Sequence, residues 1–490
     1  MGRDLDVVIV SNRGPVSFVQ KESGFETKRG AGGLAGAIDP IARGLGDRGA
    51  WIAAATSDAD RAANESGAVD HLREQLGYPV YLIDIDPEVY SRYYDVVSNR
   101  MLWFANHCLW DELGLANFGA AEIAAFHEAY EPVNKRFAEV VRDLTDDDTL
   151  VLLQDYHLAT APGHLRKLRP NQKILHFTHS SFCGAAGLGR LPRPIPKMVI
   201  EGMLGADLVG FHVAAWVDGF LECCELIGAR VDRETGSVEH IGRRSWVREY
   251  PITIDYDQLR KRADSPRASE WAERFERQAR GPLIVRADRT EPSKNIVRGF
   301  EAFGRLLDRR PDLSGSATFI ACLYPSRQSM LEYRNETEDI KAVVERVNER
   351  HPGSIDLYMK DDFDRTLGAL KVYDVLLVNP LMDGMNLVAK EGPVVNRHDG
   401  VLVLSKGAGS FEEMGDAAIP ISDARDIDET ARALEIALDL TPEERAVKAK
   451  ELRELAQSTR SEDWINAQLA DLDALRSGSS PISPPLLKRG

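Results

Sequence analysis

The sequence predicts two doubly wound α/β domains built on parallel sheets, and three observations lead there. At 490 residues the chain exceeds the size at which single hydrophobic cores stop growing, so two domains of about 200 to 250 residues are expected. Short apolar runs rich in β-branched residues recur along it, among them Val7-Val-Ile-Val10, Leu150-Val-Leu-Leu153 and Val375-Leu-Leu-Val378. Each is the pattern of a strand buried on both faces of a parallel sheet. Helix-patterned segments separate these runs, and a second series of strands begins at Pro282-Leu-Ile-Val285.

Composition narrows the class. Charged residues make up 28% and hydrophobic ones 43%, as in ordinary globular proteins, and no apolar stretch is long enough to span a bilayer, so no membrane partner is expected. Met1-Gly-Arg-Asp-Leu-Asp leads straight into the first strand without a signal-peptide pattern, which makes the cytoplasm the expected compartment. Five cysteines, at 108, 183, 223, 224 and 322, form neither a disulfide framework nor a zinc spacing. The net charge of −16 argues against a nucleic-acid partner while leaving room for a local basic pocket.

In chain order, residues 7 to 13 read as a buried strand ending in the polar turn Ser11-Asn12-Arg13, followed by a hairpin or loop. Gly30-Ala-Gly-Gly-Leu34 opens a helix, where backbone N–H groups can approach phosphate, although the spacing is not the dinucleotide fingerprint. Trp51–Ala54 and Val80–Ile83 read as strands, and Tyr93 to Trp103 is aromatic-rich. Thr145-Asp-Asp-Asp-Thr149 invites a metal reading, but it stands at the amino end of the strand Leu150–Leu153, where a solvated loop fits better. At the carboxyl end stands Gln154-Asp155-Tyr156-His157. The next strand, Lys173–Thr178, delivers His179, and Gly205–His212 is another strand, followed by a helix over 214–226. A hinge is expected near residue 256, after Tyr250-Pro-Ile-Thr-Ile-Asp255.

The second half opens with a charged helical stretch over 257–279 that Pro266 interrupts. The strand at 282–285 runs into Arg286-Ala-Asp-Arg-Thr-Glu-Pro-Ser-Lys-Asn295, and Ala317–Cys322 runs into Tyr324-Pro-Ser-Arg327. Asp362-Phe363-Asp364-Arg365 starts a helix. Asp383-Gly-Met-Asn386 lies between the strand Val375–Val378 and a helix over 387–395, at the carboxyl end of a central strand, where open α/β sheets bind ligands. Gly384 permits close backbone approach, the N–H groups of Met385, Asn386 and Leu387 suit phosphate oxygens, and Asp383 suits sugar hydroxyls. Taken alone, Asp383 could equally be a helix cap. Val401–Leu404 is a further strand, and helices are expected at about 427–438, 442–457 and 461–475.

The run from Val378 to Glu391, with the motifs above in order, resembles the trehalose-6-phosphate synthases of glycosyltransferase family 20 over roughly residues 7–475. The resemblance implies a GT-B fold, two Rossmann-like domains facing across a cleft, and a retaining, metal-independent transfer of glucose from a nucleoside-diphosphate glucose to glucose 6-phosphate, with no cofactor. By that resemblance Arg13, Tyr94, Trp103, Asp155 and Arg327 serve the acceptor. Gly32, Gly33, His179, Arg289, Lys294, Phe363, Asp383, Gly384, Met385, Asn386, Leu387, Val388 and Glu391 serve the donor, and Asp155, His179, Arg289, Lys294 and Asp383 act in catalysis. The expected division is 1–256 for the acceptor domain, 257–460 for the nucleotide-sugar domain, 461–476 for a helix crossing back, and 477–490 for a disordered tail; a homo-oligomer is the expected assembly.

Departures from the pattern fall at several places. Gln154 replaces a histidine of the pattern, and the loop after His179 lacks two prolines. Arg289-Thr-Glu-Pro-Ser-Lys-Asn295 and Glu391-Gly-Pro-Val-Val-Asn396 resemble instead the validamycin-type pseudo-glycosyltransferases, which take a GDP-linked donor. With Gly368 standing where a bulkier leucine would align, these runs favour GDP-glucose over UDP-glucose. A pseudo-glycosyltransferase and a non-catalytic regulatory homologue are the rival readings.

Overall fold

The computed structural model describes residues 5–22, 24–29, 33–114 and 118–483. The chain divides into two compact units, Met1–Pro251 with Glu462–Gly490, and Ile252–Ser461.

The first unit is built on a nine-stranded sheet. Its strands are β1 (Val7–Ser11), β4 (Gly49–Ala54), β5 (Val80–Ile83), β6 (Leu150–Gln154), β7 (Lys173–Phe177), β8 (Leu208–Phe211), β9 (Arg230–Asp232), β10 (Ser237–His240) and β11 (Arg243–Glu249); β2 (Val16–Lys21) and β3 (Gly24–Arg29) form a separate hairpin. The order is β5-β4-β1-β6-β7-β8-β11-β10-β9, with β10 antiparallel to both of its neighbours and every other pairing parallel. Val8, Ile9 and Val10 are fully buried, as their uninterrupted apolar run requires. The chain winds outward from β1 through β4 to β5, then returns to the opposite side of β1 with β6. The carboxyl ends of β1 and β6, where Ser11 pairs with Gln154, are therefore the topological switch point.

The helix Ser461–Arg476 belongs to this unit: Trp464 packs edge-on against Phe177 at 5.1 Å, and the buried Tyr250 hydroxyl donates to Asp471 at 2.6 Å. The segment expected to be a disordered tail is held as far as Ser483. Its N–H donates to Asp471 at 2.8 Å and its carbonyl accepts from Arg248 at 3.3 Å; residues 484–490 lie outside the described residues.

The second unit repeats the logic with six strands, all parallel: β12 (Leu283–Thr290), β13 (Thr318–Pro325), β14 (Ile355–Met359), β15 (Val375–Val378), β16 (Val401–Ser405) and β17 (Ile419–Ile421). The order β14-β13-β12-β15-β16-β17 puts the switch point between β12 and β15. Pro266 splits the preceding helical stretch into Tyr256–Ala263 and Pro266–Gln278, with Ser265 capping the second through its hydroxyl. Among the described residues no helix is long and apolar enough to cross a membrane.

Candidate active site

In the first unit the candidate residues gather at the switch point. The buried Ser11 hydroxyl donates to the Arg13 carbonyl at 2.6 Å and accepts from the Trp51 indole at 2.8 Å, which fixes the turn leaving β1. Arg13 emerges exposed, and its guanidinium donates to the Tyr94 hydroxyl at 3.0 Å. Tyr94 lies on a segment, Arg92–Trp103, wound as a π-helix, and its ring is stacked between Tyr90 and His157, each at 5.6 Å. Trp103, at the end of that segment, is buried with its ring 4.1 Å from His107. Gly32 lies outside the described residues, and Gly33 begins the helix Gly33–Leu45.

Asp155 leaves β6 with φ of 76°, a conformation side chains disfavour. The turn directs its carboxylate to accept from the N–H groups of Tyr156 and His179, both at 3.1 Å, with His157 Nδ1 at 3.6 Å. Burial opposes ionisation, but the hydrogen bond and charge of His157, the proximity of His179 and the Tyr156 N–H together hold the carboxyl below the usual range. His179 Nε2 is 2.9 Å from the Gln154 amide oxygen, and its ring packs among Phe177, His212 and Trp464. Burial pushes its imidazole down to about 4 despite the pull of Asp155, so it is neutral at pH 7. A neutral ring beside an ionised carboxylate suits hydrogen bonding to sugar hydroxyls.

The loop after His179 gains by other means the rigidity that two prolines would have supplied. Cys183 is disulfide-bonded to Cys108 across 75 positions, correcting the expectation that the cysteines do not pair. Asn106 adds two bonds, donating to Ser180 and accepting from Ser181, each at 3.0 Å.

In the second unit β12 ends beside the turn at 383–387. Lys294, 12% exposed, sits 2.6 Å from the Asp383 carboxylate and 3.9 Å from that of Asp288. Asn386, with φ of 70°, donates to the same Asp383 oxygen at 3.0 Å. The loop after β16 clamps this turn: Gly409 lies so close to the Gly384 carbonyl that a Cβ would stand 2.1 Å from it, and Ser410 N–H donates to Met385 at 2.7 Å. The helix begins at Val388, one residue later than expected. Among the described residues no backbone carbonyl takes up the N–H of Met385, Asn386 or Leu387. Glu391, in the first turn of that helix, has its carboxyl pushed up to about 7 by burial alone. Arg289 reaches Glu291 at 2.9 Å, and Arg327, with φ of 45°, approaches the same oxygen at 3.7 Å. Phe363 is 45% exposed, at the start of a helix capped by Asp362.

Gly368 does not open a base pocket. A Cβ there would stand 2.5 Å from Trp271 Cβ and 2.9 Å from Ala272 N, so the missing side chain lets the helix Phe363–Val372 pack on Pro266–Gln278. Sequence reasoning also passed over Glu291 as more than a departure. Its place two residues beyond Arg289 in extended chain, which puts both side chains on one face, was the available signal. Seven described non-glycine residues have left-handed φ, and Asp155, Arg327 and Asn386 are among them; such strain costs roughly 1–3 kcal/mol each and collects at functional sites.

Two doubly wound α/β units, each presenting polar and charged groups at its switch point, define the GT-B class of glycosyltransferase. The family model for glycosyltransferase family 20 matches residues 5–474. A trehalose-6-phosphate synthase of Mycobacterium sp. (strain KMS) is 31% identical over 508 residues, covering 98% of this chain and 97% of the relative. A validamine 7-phosphate valienyltransferase of Streptomyces hygroscopicus subsp. jinggangensis is 29% identical over 432 residues, covering 86% and 85%. The crystal structure of an α,α-trehalose-phosphate synthase (UDP-forming) from Burkholderia xenovorans in complex with glucose-6-phosphate superposes with a TM-score of 0.77 at 25% identity, covering 95% of this chain and 99% of that one. The chain belongs to glycosyltransferase family 20 and is an enzyme of that class.

Proposed function

We propose that this enzyme transfers glucose from a nucleoside-diphosphate glucose to C1 of glucose 6-phosphate, with retention, giving α,α-trehalose 6-phosphate. The observation that carries the reading is the meeting of Lys294 and Asp383, 89 positions apart, at the switch point of the second unit, with Arg289 leaving the same strand. Cations there neutralise the departing diphosphate, while the Met385, Asn386 and Leu387 N–H groups add neutral donors. Glu391 takes the ribose diol, and Phe363 lies by the base. Arg13, Tyr94 and Asp155 take the acceptor, and Arg327 takes its phosphate. His179 hydrogen-bonds the donor glucose. None of these groups is a covalent nucleophile in this reading; the departing phosphate takes the acceptor proton, and catalysis rests on positioning and charge.

GDP-glucose is the proposed donor. It is supported by the two runs, at 289–295 and 391–396, that resemble the GDP-linked branch, and by the similarity to the valienyltransferase over 86% of this chain. Gly368 no longer contributes to that choice. The same similarity favours a second reading, coupling of a GDP-cyclitol to an aminocyclitol phosphate, against which stand Ser11-Asn12-Arg13 and the intact Asp383-Gly-Met-Asn386. Comparison of kcat/KM for GDP-, ADP- and UDP-glucose at saturating glucose 6-phosphate tests the donor: UDP preference overturns the purine choice, and ADP preference overturns only guanine. Turnover of validamine 7-phosphate in place of glucose 6-phosphate would favour the second reading.

A further inference from the structure

Glu291 is 1% exposed, and a carboxylate so buried persists only where its charge is answered. One oxygen, Oε1, gathers three partners: the Arg289 guanidinium at 2.9 Å, the Arg327 guanidinium at 3.7 Å, and the Ser326 hydroxyl, which donates to it at 3.1 Å. The two arginines come from different strand ends, β12 and β13, joined by the Ser326 N–H donating to Thr290 Oγ1 at 3.3 Å. Brought this close they repel each other, and Glu291 is the anion that permits it. Its main chain also sets the local turn: Glu291 N–H donates to the Arg289 carbonyl at 2.8 Å, and its carbonyl accepts from Lys294 N–H at 2.9 Å.

Two cations on one carboxylate leave one net positive charge. Arg289 keeps 47% of its side chain exposed, so one edge is held and the other is presented outward. Arg327 is 10% exposed, fixed between Glu291 and the Tyr333 hydroxyl with its backbone in the left-handed region.

We propose that Glu291 is a positioning residue that sets the donor-diphosphate arginine, Arg289, and the acceptor-phosphate arginine, Arg327, from a single carboxylate oxygen. It rests on the proposed glucosyl transfer for the two phosphates' identities. The shared oxygen means that disturbing Glu291 disturbs both phosphate sites at once, whereas removing either arginine disturbs one.

The test is steady-state kinetics of the full chain, with each substrate varied at saturation of the other. Glu291→Gln, isosteric and uncharged, is expected to raise both KM values by about tenfold, while Arg327→Ala raises only that for glucose 6-phosphate. Glu291→Asp, which keeps the charge, is expected to stay within about threefold of the native enzyme on both. A rise in one KM alone, a fall in kcat with both KM values unchanged, or an Asp variant as impaired as Gln would overturn the proposal. Ser326→Ala, at a half-exposed position, guards against a Gln variant that does not fold: both KM values should rise together by about two- to fourfold, and a rise in one or neither overturns the pin. If the native enzyme transfers no glucose to glucose 6-phosphate, the functional reading fails. The pin is then read by titrating GDP and inorganic phosphate into native protein and Ser326→Ala, where both affinities must fall together.

Discussion

Arg13 leaves β1 exposed, with its guanidinium donating to the Tyr94 hydroxyl, so its removal should cost the fold little. Arg13→Ala is expected to raise the KM for glucose 6-phosphate by about ten- to a hundredfold, the range of a lost charge-assisted bond, with a small change for the donor. Equal effects on both substrates would remove Arg13 from the acceptor phosphate. Glu391 supplies a second residue-scale prediction. Burial holds its carboxyl near 7, so in the free enzyme it is protonated below that pH and ionised above it. A ribose diol donates best to the carboxylate, and kcat/KM for the donor should therefore fall on the acid side of about 7. That limb should vanish in Glu391→Gln; a limb that persists in the variant belongs to another group.

At the scale of elements, the disulfide between Cys108 and Cys183 joins the helical segment carrying Tyr94 and Trp103 to the loop after His179. Closing a loop of 75 positions is worth roughly 2–4 kcal/mol. A dithiol reductant should lower the unfolding temperature of the native enzyme and leave Cys183→Ser unmoved; identical shifts in both would place the effect elsewhere. This staple was invisible in the sequence, because an odd cysteine count and a 75-residue separation give no pairing signal. The central strands were legible for the opposite reason: buried on both faces, β1, β6, β15 and β16 are uninterrupted apolar runs. The outer strands β9 to β11 and β14 are mixed in polarity and only partly buried, and they were not read. The switch-point turns were legible because their polar residues follow directly on those central strands. Gly368 misled because local sequence does not say which face of a helix meets its neighbour.

For the whole molecule, a net charge of −16 coexists with cations concentrated at the second unit's switch point, so anionic substrates are taken by local geometry rather than by the general field. In the proposed reading Arg289 and Lys294 take the role a divalent ion plays in other sugar transferases, so activity should survive excess chelator. Abolition by chelator with rescue by manganese would instead direct attention to Asp146-Asp-Asp148, where Asp146 now accepts from Asp148 N–H at 3.1 Å and Thr149 N–H at 3.2 Å. The central claim is met most directly by incubating the purified full chain with GDP-, ADP- or UDP-glucose and glucose 6-phosphate and resolving the product's anomeric configuration by NMR. The account predicts α,α-trehalose 6-phosphate, formed fastest from GDP-glucose; the absence of any disaccharide phosphate with all three donors would contradict it.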